Sequence, residues 1–551
     1  MTAVSPLPAP ARNDLEEAVP IIPAPAHLVA DDGHLGLDTL ASLTVSDPAA
    51  AGVAEQLRSA LRLWTAYELP EATVGAPAQI GVHLRLDAGP ATAAHRLEPE
   101  GEAAHGAYTL DVDDTGITVT ARTTEGLHRG ATTLVQLIGA TEAGIPYLHV
   151  RDRAEFAWRG LSLDTVRAFV EVAEVKRIID LLSLYKLNVL HLHLSDNEGW
   201  RLQIASWPQL TRPDADGRRQ FYTQDEVRDI VRYARDRFIT VIPEIDLPGH
   251  VAAAVRAYPE LADPDSPIEG PFPRAYLDAS SPVVQRFVED VVGDLVSVTD
   301  GPYVHIGGDE AFGMPDEDHA AFISRAVALV RRLGKRAVAW QEASRADIGA
   351  AETVQHWIDF AAPETSDEDT DDEVPARDVE DASHSGIPAD VLTMLKHYFA
   401  KASGDSARTA EKGARVLLSP NSHTYLDRPH AESSLNEEQE QVRGRLGLAH
   451  YPPTPLEVYV DWNPYEVVAA ELRPQIVGVE GAVWCETVTS TADLEMLLLP
   501  RLPGIAEAAW TPPNTERDLA VYRGRLAHHA ALWDRAGWNW FEADTVDWTV
   551  R

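Results

Sequence analysis

The sequence predicts an α/β protein in which a (β/α)8 TIM barrel is preceded by a small α+β domain. Two observations support the barrel. From residue 158 onward, short apolar runs alternate with amphipathic stretches, which is typical of repeated βα units around a parallel sheet. Eight such runs occur over about 350 residues, the number of strands that closes a barrel of this kind. A third observation, an earlier hairpin pattern followed by a helix, predicts the small domain.

The first part of the chain divides into an arm and this small domain. Residues 1–20 are rich in Pro and Ala and lack a periodic apolar pattern, so we expect a loosely ordered arm. Residues 21–150 are expected to form a non-catalytic α+β domain. Within it, residues 108–121 alternate with a period of two around a turn at 113–116, which predicts a hairpin. Residues 126–138 then change to helical spacing.

The predicted barrel domain comprises residues 151–551, and its strands and helices follow one another in turn. In a barrel of this type the functional groups lie just after the strands, at the carboxyl rim. The predicted strands are 160–164, 189–194, 240–245, 303–306, 336–340, 353–357, 416–418 and 476–480, and the clearest helices are 172–186, 223–237, 283–296 and 319–333.

Two inserts are expected in the second half of the barrel, near residues 361–412 and 430–453. The first includes residues 361–383, which hold ten acidic residues and one Arg and therefore predict a solvated segment. Its acids lack the Gly-centred alternation of a calcium loop. In the second insert, residues 436–442 predict a short helix.

Composition excludes several classes of partner. The chain has 551 residues with 86 Asp or Glu and 47 Lys or Arg, a formal charge of −39, which argues against nucleic acid or anionic membrane. No apolar run approaches the length of a membrane helix, and the first residues lack the apolar core of a secretory signal, so we expect a cytoplasmic protein. The lone Cys485 excludes an intramolecular disulfide and a multi-cysteine zinc site. No cofactor and no metal are expected.

Every predicted strand is followed by an ionisable or aromatic residue. Taken singly, an Asp after a strand is usually a helix cap and a Trp is usually a core residue. Eight such positions on one rim favour a shared site, and several acids with a ring of Trp suit a sugar. The residues are Asp164, Arg167, Asp196, Trp200, Arg201, Asp246, His250, Asp309, Glu310, Trp340, Glu342, His356, Trp357, Tyr425, Asp427, Trp484 and Glu486.

Five motifs resemble one known family. They are Trp-Arg-Gly-Leu-Ser-Leu-Asp-Thr-Val-Arg at 158–167, the run 185–196 ending in His-Leu-His-Leu-Ser-Asp, Gly-Trp-Arg at 199–201, the run 243–250, and Gly-Gly-Asp-Glu at 307–310. Together they resemble the β-N-acetylhexosaminidases of glycoside hydrolase family twenty, over roughly residues 106–510. The resemblance implies an exo-acting hydrolase that removes terminal non-reducing β-linked GlcNAc or GalNAc.

The adjacency of Asp309 and Glu310 bears on the mechanism. Two carboxylates that act as acid and nucleophile flank the anomeric carbon, whereas neighbours on an extended backbone point apart. The resemblance implies instead a retaining, substrate-assisted reaction, in which the 2-acetamido oxygen attacks and an oxazolinium intermediate forms. It makes Glu310 the general acid and then the base, Asp309 the acceptor of the acetamido N–H, and Tyr425 the donor to the acetamido oxygen.

The resemblance also implies roles for the remaining rim residues. Trp340, Trp357 and Trp484 would wall the acetamido pocket and the sugar face, with Asp427 helping to define that pocket. Arg167 and Glu486 would bind outer hydroxyls, and Asp196 would anchor Arg167. Asp246 would orient His250 near Glu310. Two departures from the family pattern, Ala168 and the pair Asn197–Glu198, affect residues that support the site.

Two other functions remain open at this point. A metal-dependent amidohydrolase could use His191 and His193 on one face of a strand together with His250, His305 and Asp309, but it would leave the Trp ring without a task. A non-catalytic sugar-binding protein would share the pocket without turning over a p-nitrophenyl β-N-acetylglucosaminide. The choice between GlcNAc and GalNAc, the natural glycan and the oligomeric state are not determined by the sequence.

Overall fold

In the computed structural model, the N-terminal part of the chain forms a seven-stranded mixed sheet. The structure describes residues 19–548 except 88–95, 99–100, 102–104, 141–143, 214–216, 265–274, 360–397, 399, 513–514 and 516. The N-terminal strands are β1 (His27–Leu35), β2 (Ser42–Val45), β3 (Ala72–Val74), β4 (Gly81–Leu86), β5 (Tyr108–Asp113), β6 (Gly116–Ala121) and β7 (Ile145–Asp152). Their order across the sheet is β1-β7-β5-β6-β4-β2-β3.

Two helices cover this sheet, α1 (Ala51–Trp64) and α2 (Thr124–Gly139). The Thr123 side chain caps α2 by accepting a hydrogen bond from the backbone N–H of Gly126. The predicted hairpin is confirmed, because β5 and β6 pair antiparallel with Asp113 opposite Gly116. The predicted helix at 126–138 is confirmed as part of α2.

Eight parallel strands close a barrel in chain order, each paired with the next and the last with the first. All eight predicted strands are therefore confirmed, and four helices confirm those predicted at 172–186, 223–237, 283–296 and 319–333. The strands are β8 (Trp158–Asp164), β9 (Val189–His193), β10 (Thr240–Glu244), β11 (Tyr303–His305), β12 (Arg336–Trp340), β13 (Thr353–His356), β14 (Arg415–Leu418) and β15 (Ile476–Val483). The helices are α3 (Val172–Leu184), α4 (Gln224–Arg235), α5 (Ala252–Ala257), α6 (Pro282–Ser297), α7 (Asp316–Arg332), α8 (Asp405–Lys412), α9 (Asn421–Thr424), α10 (Glu437–Arg443), α11 (Thr491–Leu498), α12 (Leu502–Trp510), α13 (Leu519–Ala527) and α14 (Ala530–Arg535).

A short segment from the N-terminal domain fills the amino end of the barrel. We call residues 96–98, which lie between β4 and β5, the floor plug. Leu97 is fully buried in a cluster with one residue from each of seven barrel strands. Glu98 accepts hydrogen bonds from Arg336 and Arg415 and, at 3.0 Å, from the Tyr303 hydroxyl. The seven strand residues are Trp158, Val189, Ile242, Tyr303, Val338, Leu417 and Val477.

The arm and the inserts are described only in part. Residues 1–18 lie outside the described part, whereas Val19 is buried and the carbonyl of Pro20 lies 3.2 Å from Nε2 of His529. The acidic stretch at 361–383 also lies outside the described residues. In the second insert the predicted helix is confirmed as α10, shifted by one residue. Among the described helices, none has the length and apolar character needed to cross a membrane.

Candidate active site

The two adjacent carboxylates follow β11 at the carboxyl rim and turn in different directions. Glu310 has a φ of 47°, so its backbone is left-handed rather than extended as the sequence suggested. A non-glycine residue in this region is strained, and such strain is common at functional sites. Gly307 is required just before, because a Cβ there would lie 1.7 Å from Oδ1 of Asp246. The left-handed backbone at Glu310 therefore directs its side chain away from that of Asp309.

Asp309 and Asp246 form a carboxyl pair beneath the rim. Asp246 is buried at the end of β10, where its backbone N–H donates to Ser195 and its Oδ1 accepts from the N–H of Gly308. Burial raises the pKa of Asp246 to about 8, and the charge of Glu244 adds to the rise. Burial and the charge of Asp246 raise the pKa of Asp309 well above its ordinary value. The two carboxyls therefore keep their protons to a higher pH than isolated carboxyls do.

His250 is oriented by Asp196, which corrects the prediction that Asp246 orients it. Its Nδ1 lies 2.9 Å from Oδ1 of Asp196, and its Nε2 lies 3.4 Å from Oε2 of Glu310 and 3.6 Å from Oδ2 of Asp309. His250 has a φ of 52°, and its ring contacts Asp196 in the loop after β9. Burial lowers the pKa of His250, but the charges of Asp196 and Asp309 outweigh burial and raise it well above its ordinary value.

Asp196 also binds Arg167, as the sequence predicted. Its Oδ2 lies 2.8 Å from Nη2 of Arg167, whose Nε lies 3.0 Å from Oε2 of Glu198. Burial would raise the pKa of Asp196, but the charges of Arg167 and His250 hold it well below the ordinary value. Asp196 is therefore a fixed anion between the two cationic side chains. The Glu198 that departs from the family pattern contributes a further carboxylate to Arg167.

Four aromatic side chains cluster at the carboxyl rim, where Tyr425 lies within reach of the Asp309 charge, and we call the space that they border the rim pocket. Trp340, Trp357, Tyr425 and Trp484 pack in one cluster, and the Trp484 ring centroid lies 6.0 Å from those of Trp340 and Tyr425. The Trp340 indole N–H donates to Glu244 at 2.9 Å. These contacts pack the four rings against one another at the rim.

Asp427 and Glu486 lie at the side of the pocket near Arg167. Asp427 is fully buried, and its Oδ1 accepts from the backbone N–H of Trp484 at 3.4 Å. Burial, with the charge of Glu486, raises the pKa of Asp427 well above its ordinary value. Glu486 remains about one-third exposed, with Oε1 at 3.8 Å from Arg167. The structure thus brings all twelve predicted site residues to one rim.

Three residues of the site were given no role by the sequence. Tyr398 accepts from the backbone N–H of Glu310 at 2.6 Å and donates to Glu342 at 2.9 Å. Glu342 is fully buried, and burial with the charge of Asp309 raises its pKa well above the ordinary value. The Tyr451 ring packs edge-on against Tyr425. Tyr398 and Tyr451 belong to the inserts, where no periodic pattern pointed to them, whereas Glu342 stood directly after a strand.

The histidines of the metal-hydrolase hypothesis lie around one buried carboxylate. Glu244 Oε2 is 2.6 Å from Nδ1 of His193 and 3.0 Å from Nε2 of His191, while Oε1 is 3.0 Å from Nδ1 of His305. Nδ1 of His191 is also bonded to Glu480 at 2.9 Å. These histidines therefore have carboxylate partners inside the barrel, below the rim pocket.

A pocket walled by Trp and Tyr, with several carboxylates and an Arg on a TIM-barrel rim, is the site of a carbohydrate-processing hydrolase. Residues 156–372 and 383–513 match the model of the glycosyl hydrolase family 20 catalytic domain, and residues 18–153 match domain 2 of the same family. The chain belongs to glycosyl hydrolase family 20.

Individual relatives span almost the whole chain. A β-N-acetylhexosaminidase of Cellulomonas fimi is 35% identical over 544 residues, which cover 96% of this chain and 97% of that protein. The solved β-N-acetylhexosaminidase of Streptomyces coelicolor A3(2) has a TM-score of 0.77 at 31% identity and covers 97% of this chain and 99% of its own. A mutant Streptomyces plicatus β-hexosaminidase in complex with its product GlcNAc has a TM-score of 0.76 at 32% identity, covering 98% and 99%. The family match favours the glycosidase prediction over the two alternatives.

Proposed function

We propose that this chain is an exo-acting β-N-acetylhexosaminidase that cleaves terminal non-reducing β-linked N-acetylhexosamine with retention, through an oxazolinium intermediate. One observation carries the mechanism. The two adjacent carboxylates face different partners, Asp309 the buried Asp246 and Glu310 the imidazole of His250. Such a pair is poorly placed to act as acid and nucleophile on opposite sides of one carbon, which leaves the substrate's own acetamido oxygen as the nucleophile.

Glu310 is assigned as the general acid and base. It donates a proton to the glycosidic oxygen as the bond to the anomeric carbon breaks, and it then takes a proton from the water that opens the oxazolinium ring. His250 lies beside it, with Nε2 at 3.4 Å from Oε2. The charge of Asp196 on the other ring nitrogen keeps His250 protonated, and this imidazolium stabilises the carboxylate that Glu310 becomes after donating its proton.

Asp309 and Tyr425 are assigned to the acetamido group. Asp309 accepts the acetamido N–H and balances the positive charge that develops there as the ring closes, while the Tyr425 hydroxyl donates to the attacking oxygen. This role requires Asp309 as an anion beside a protonated Asp246, whose pKa is raised to about 8. Trp340, Trp357 and Trp484 surround the acetamido methyl and the sugar face.

The outer hydroxyls of the sugar are assigned to the opposite side of the pocket. Arg167 and Glu486 offer donors and an acceptor there, and Asp427 adds a buried carboxyl whose Oδ2 has no hydrogen-bond partner among the described residues. A buried oxygen without a partner is costly, so a sugar hydroxyl that donates to it would be strongly bound. Asp427 is therefore assigned to substrate binding.

Kinetics with aryl glycosides test this function. The chain should release nitrophenol from p-nitrophenyl β-N-acetylglucosaminide, whereas the corresponding β-glucoside, which lacks the acetamido group, should be inert. Asp309→Ala should lose most activity, and added azide should fail to restore it as a glycosyl azide, because the nucleophile belongs to the substrate. The exposed Asp225→Ala is the matched control. Azide rescue of Asp309→Ala would show a protein nucleophile and would overturn the mechanism.

A further inference from the structure

A continuous line of polar contacts runs through the barrel interior to the predicted acid. It begins at Glu480, which accepts from the Trp158 indole at 2.8 Å and from Nδ1 of His191 at 2.9 Å. Nε2 of His191 lies 3.0 Å from Oε2 of Glu244, and the same oxygen is 2.6 Å from Nδ1 of His193. All of these side chains are buried.

The line continues from the barrel interior to the rim. Nε2 of His193 donates to Oδ2 of Asp196 at 2.9 Å, and Oδ1 of Asp196 accepts from Nδ1 of His250 at 2.9 Å. His250 in turn faces Glu310 at 3.4 Å. Alternating carboxylates and imidazoles thus connect Glu480 to Glu310, with both nitrogens of His193 used. We call Glu480, His191, Glu244, His193 and Asp196 the interior chain.

Within the interior chain, His193 is the residue whose charge lies closest to the rim site, because it contacts Asp196. Burial lowers its pKa, but Glu244 and Asp196 on its two nitrogens raise the pKa to about 10. His193 is therefore a cation at neutral pH, and its charge lies against Asp196. Asp196 contacts Arg167, His193 and His250, so a cationic His193 leaves less of the negative charge of Asp196 to offset the imidazolium of His250. The field that stabilises ionised Glu310 is therefore more positive.

We propose that His193 and Glu244 are positioning residues that set the pH range over which Glu310 serves as the acid, by fixing the charge next to Asp196. This inference rests on the function proposed above. His193 and Glu244 touch neither the sugar nor the leaving group in this assignment, and they act only through Asp196 and His250. Glu244 also holds Trp340, so one buried carboxylate supports both the acid and the pocket wall.

Other polar groups contact the members of this line from neighbouring elements. Glu480 also accepts from Gln355 at 3.0 Å, and His305 contacts both Glu244 and Trp340. Gln355 and His305 are unchanged in every variant of the test. The groups that face Asp196, His193 and His250 are Asp164 and Arg167 after β8, Glu244 and Asp246 at the end of β10, and Asp309 and Glu310 after β11.

Two substitutions separate charge from shape. Glu244→Gln keeps an oxygen for Trp340, and its amide can donate to Nδ1 of His193, which then stays neutral and still donates from Nε2 to Asp196. His193→Gln removes the cation outright and leaves one donor near Asp196. In both variants the positive charge of His193 is lost, so Asp196 offsets more of the charge on the already protonated His250. Ionised Glu310 is then stabilised less, and the protonated acid persists to a higher pH.

The test is the alkaline limb of kcat/KM against pH, measured with p-methoxyphenyl β-N-acetylglucosaminide, whose leaving group needs the acid. We expect this limb to move up by about one pH unit in His193→Gln and by less in Glu244→Gln, where the anion of Glu244 is lost together with the cation. Glu480→Gln, two contacts further from Asp196, should move it least. With the 2,4-dinitrophenyl glycoside, which leaves without protonation, kcat/KM should change less than about twofold, because only the acid step is affected.

His529→Gln is the matched control, because His529 is an equally buried histidine whose Nδ1 lies 2.9 Å from Tyr185, far from this line. Its alkaline limb should stay in place. A limb that does not move in Glu244→Gln, that moves downward, or that moves equally in His529→Gln would overturn the inference. If wild type fails to hydrolyse both glycosides, the proposed function itself fails, which is a distinct outcome. If His193→Gln does not fold, the isosteric Glu244→Gln decides alone.

Discussion

The two ends of the barrel differ in the partners of their carboxylates. At the floor, Glu98 is held by Arg336 and Arg415. Burial raises the pKa of Glu98, but the hydrogen bonds and charge of Arg415 outweigh it and lower that pKa. At the rim, carboxylates such as Asp246 and Asp309 face one another, and their pKa values rise.

The floor of the barrel therefore contributes to stability, whereas the rim supplies the groups for chemistry. Paired charges around a buried Leu stabilise the floor, whereas the rim keeps acids close together at a cost to folding and gains groups that change protonation near neutral pH. Substitutions at the floor should therefore change the free energy of unfolding and leave catalysis intact. Substitutions at the rim should reduce catalysis and leave the free energy of unfolding nearly unchanged, or should change stability with a pH dependence opposite to that at the floor.

The largest effect is expected at the rim. Glu310→Gln should lower kcat for p-methoxyphenyl β-N-acetylglucosaminide by about 10²- to 10⁴-fold, because no proton reaches the leaving oxygen. The midpoint of urea unfolding should change little, since Glu310 is partly exposed. Glu317→Gln, on the exposed first turn of α7, is the control and should keep full activity. Near-normal kcat in Glu310→Gln would contradict the assignment of the acid.

The next effect is expected at the floor. Leu97→Ala should lower the free energy of unfolding by about 2–5 kcal/mol, because it leaves a cavity among seven strand residues. The kcat of the folded variant should equal that of wild type. Val74→Ala, an aliphatic truncation at a side chain 61% exposed in the same domain, should cost less than about 0.5 kcal/mol. Equal losses in the two variants would show that Leu97 does not fill the barrel end as described.

A smaller effect with a defined sign is expected for the floor carboxylate. Glu98→Gln should cost about 1–3 kcal/mol at pH 7, since Arg336 and Arg415 lose their anion. Because the pKa of Glu98 is lowered in the folded state, its contribution exists above the unfolded pKa and is lost as pH falls through the folded value. Thermal unfolding should thus show a gap between wild type and Glu98→Gln at pH 7 that closes below about pH 4. Glu55→Gln, at an exposed ion pair, should show almost no gap.

Asp246→Asn should show the opposite dependence on pH. Its carboxyl has a folded pKa of about 8, so wild type loses stability as pH rises from the unfolded value near 4 toward 8. The amide cannot ionise and can still donate to Asp309, so Tm of Asp246→Asn should fall less than that of wild type over this range. The exposed Asp225→Asn is the control. A parallel decline in Asp246→Asn and wild type would argue against a protonated Asp246.

The sequence predicted the fold well because the barrel strands are coded locally. Each of the eight strands is a run of buried residues bounded by polar ones, and Asp309 and Glu310 follow β11 directly. Leu97 was not predicted, because a single Leu among polar residues has no periodicity and its burial depends on strands far along the chain. The partner of His250 was predicted wrongly. Asp246 is near in sequence, but the ring contacts Asp196 in another loop, and the left-handed φ of 52° at His250 was not predictable from the residue type.

The floor plug also bears on how this protein can be divided. The two family models meet between residues 153 and 156, and a gene fragment would naturally be cut there. Such a cut would remove Leu97 from the amino end of the barrel and Glu98 from its two arginine partners, because both residues precede the cut. The barrel expressed alone would begin with an unfilled lower end. Exchange of catalytic units between relatives should therefore carry residues 96–98 with the barrel whose strands they contact.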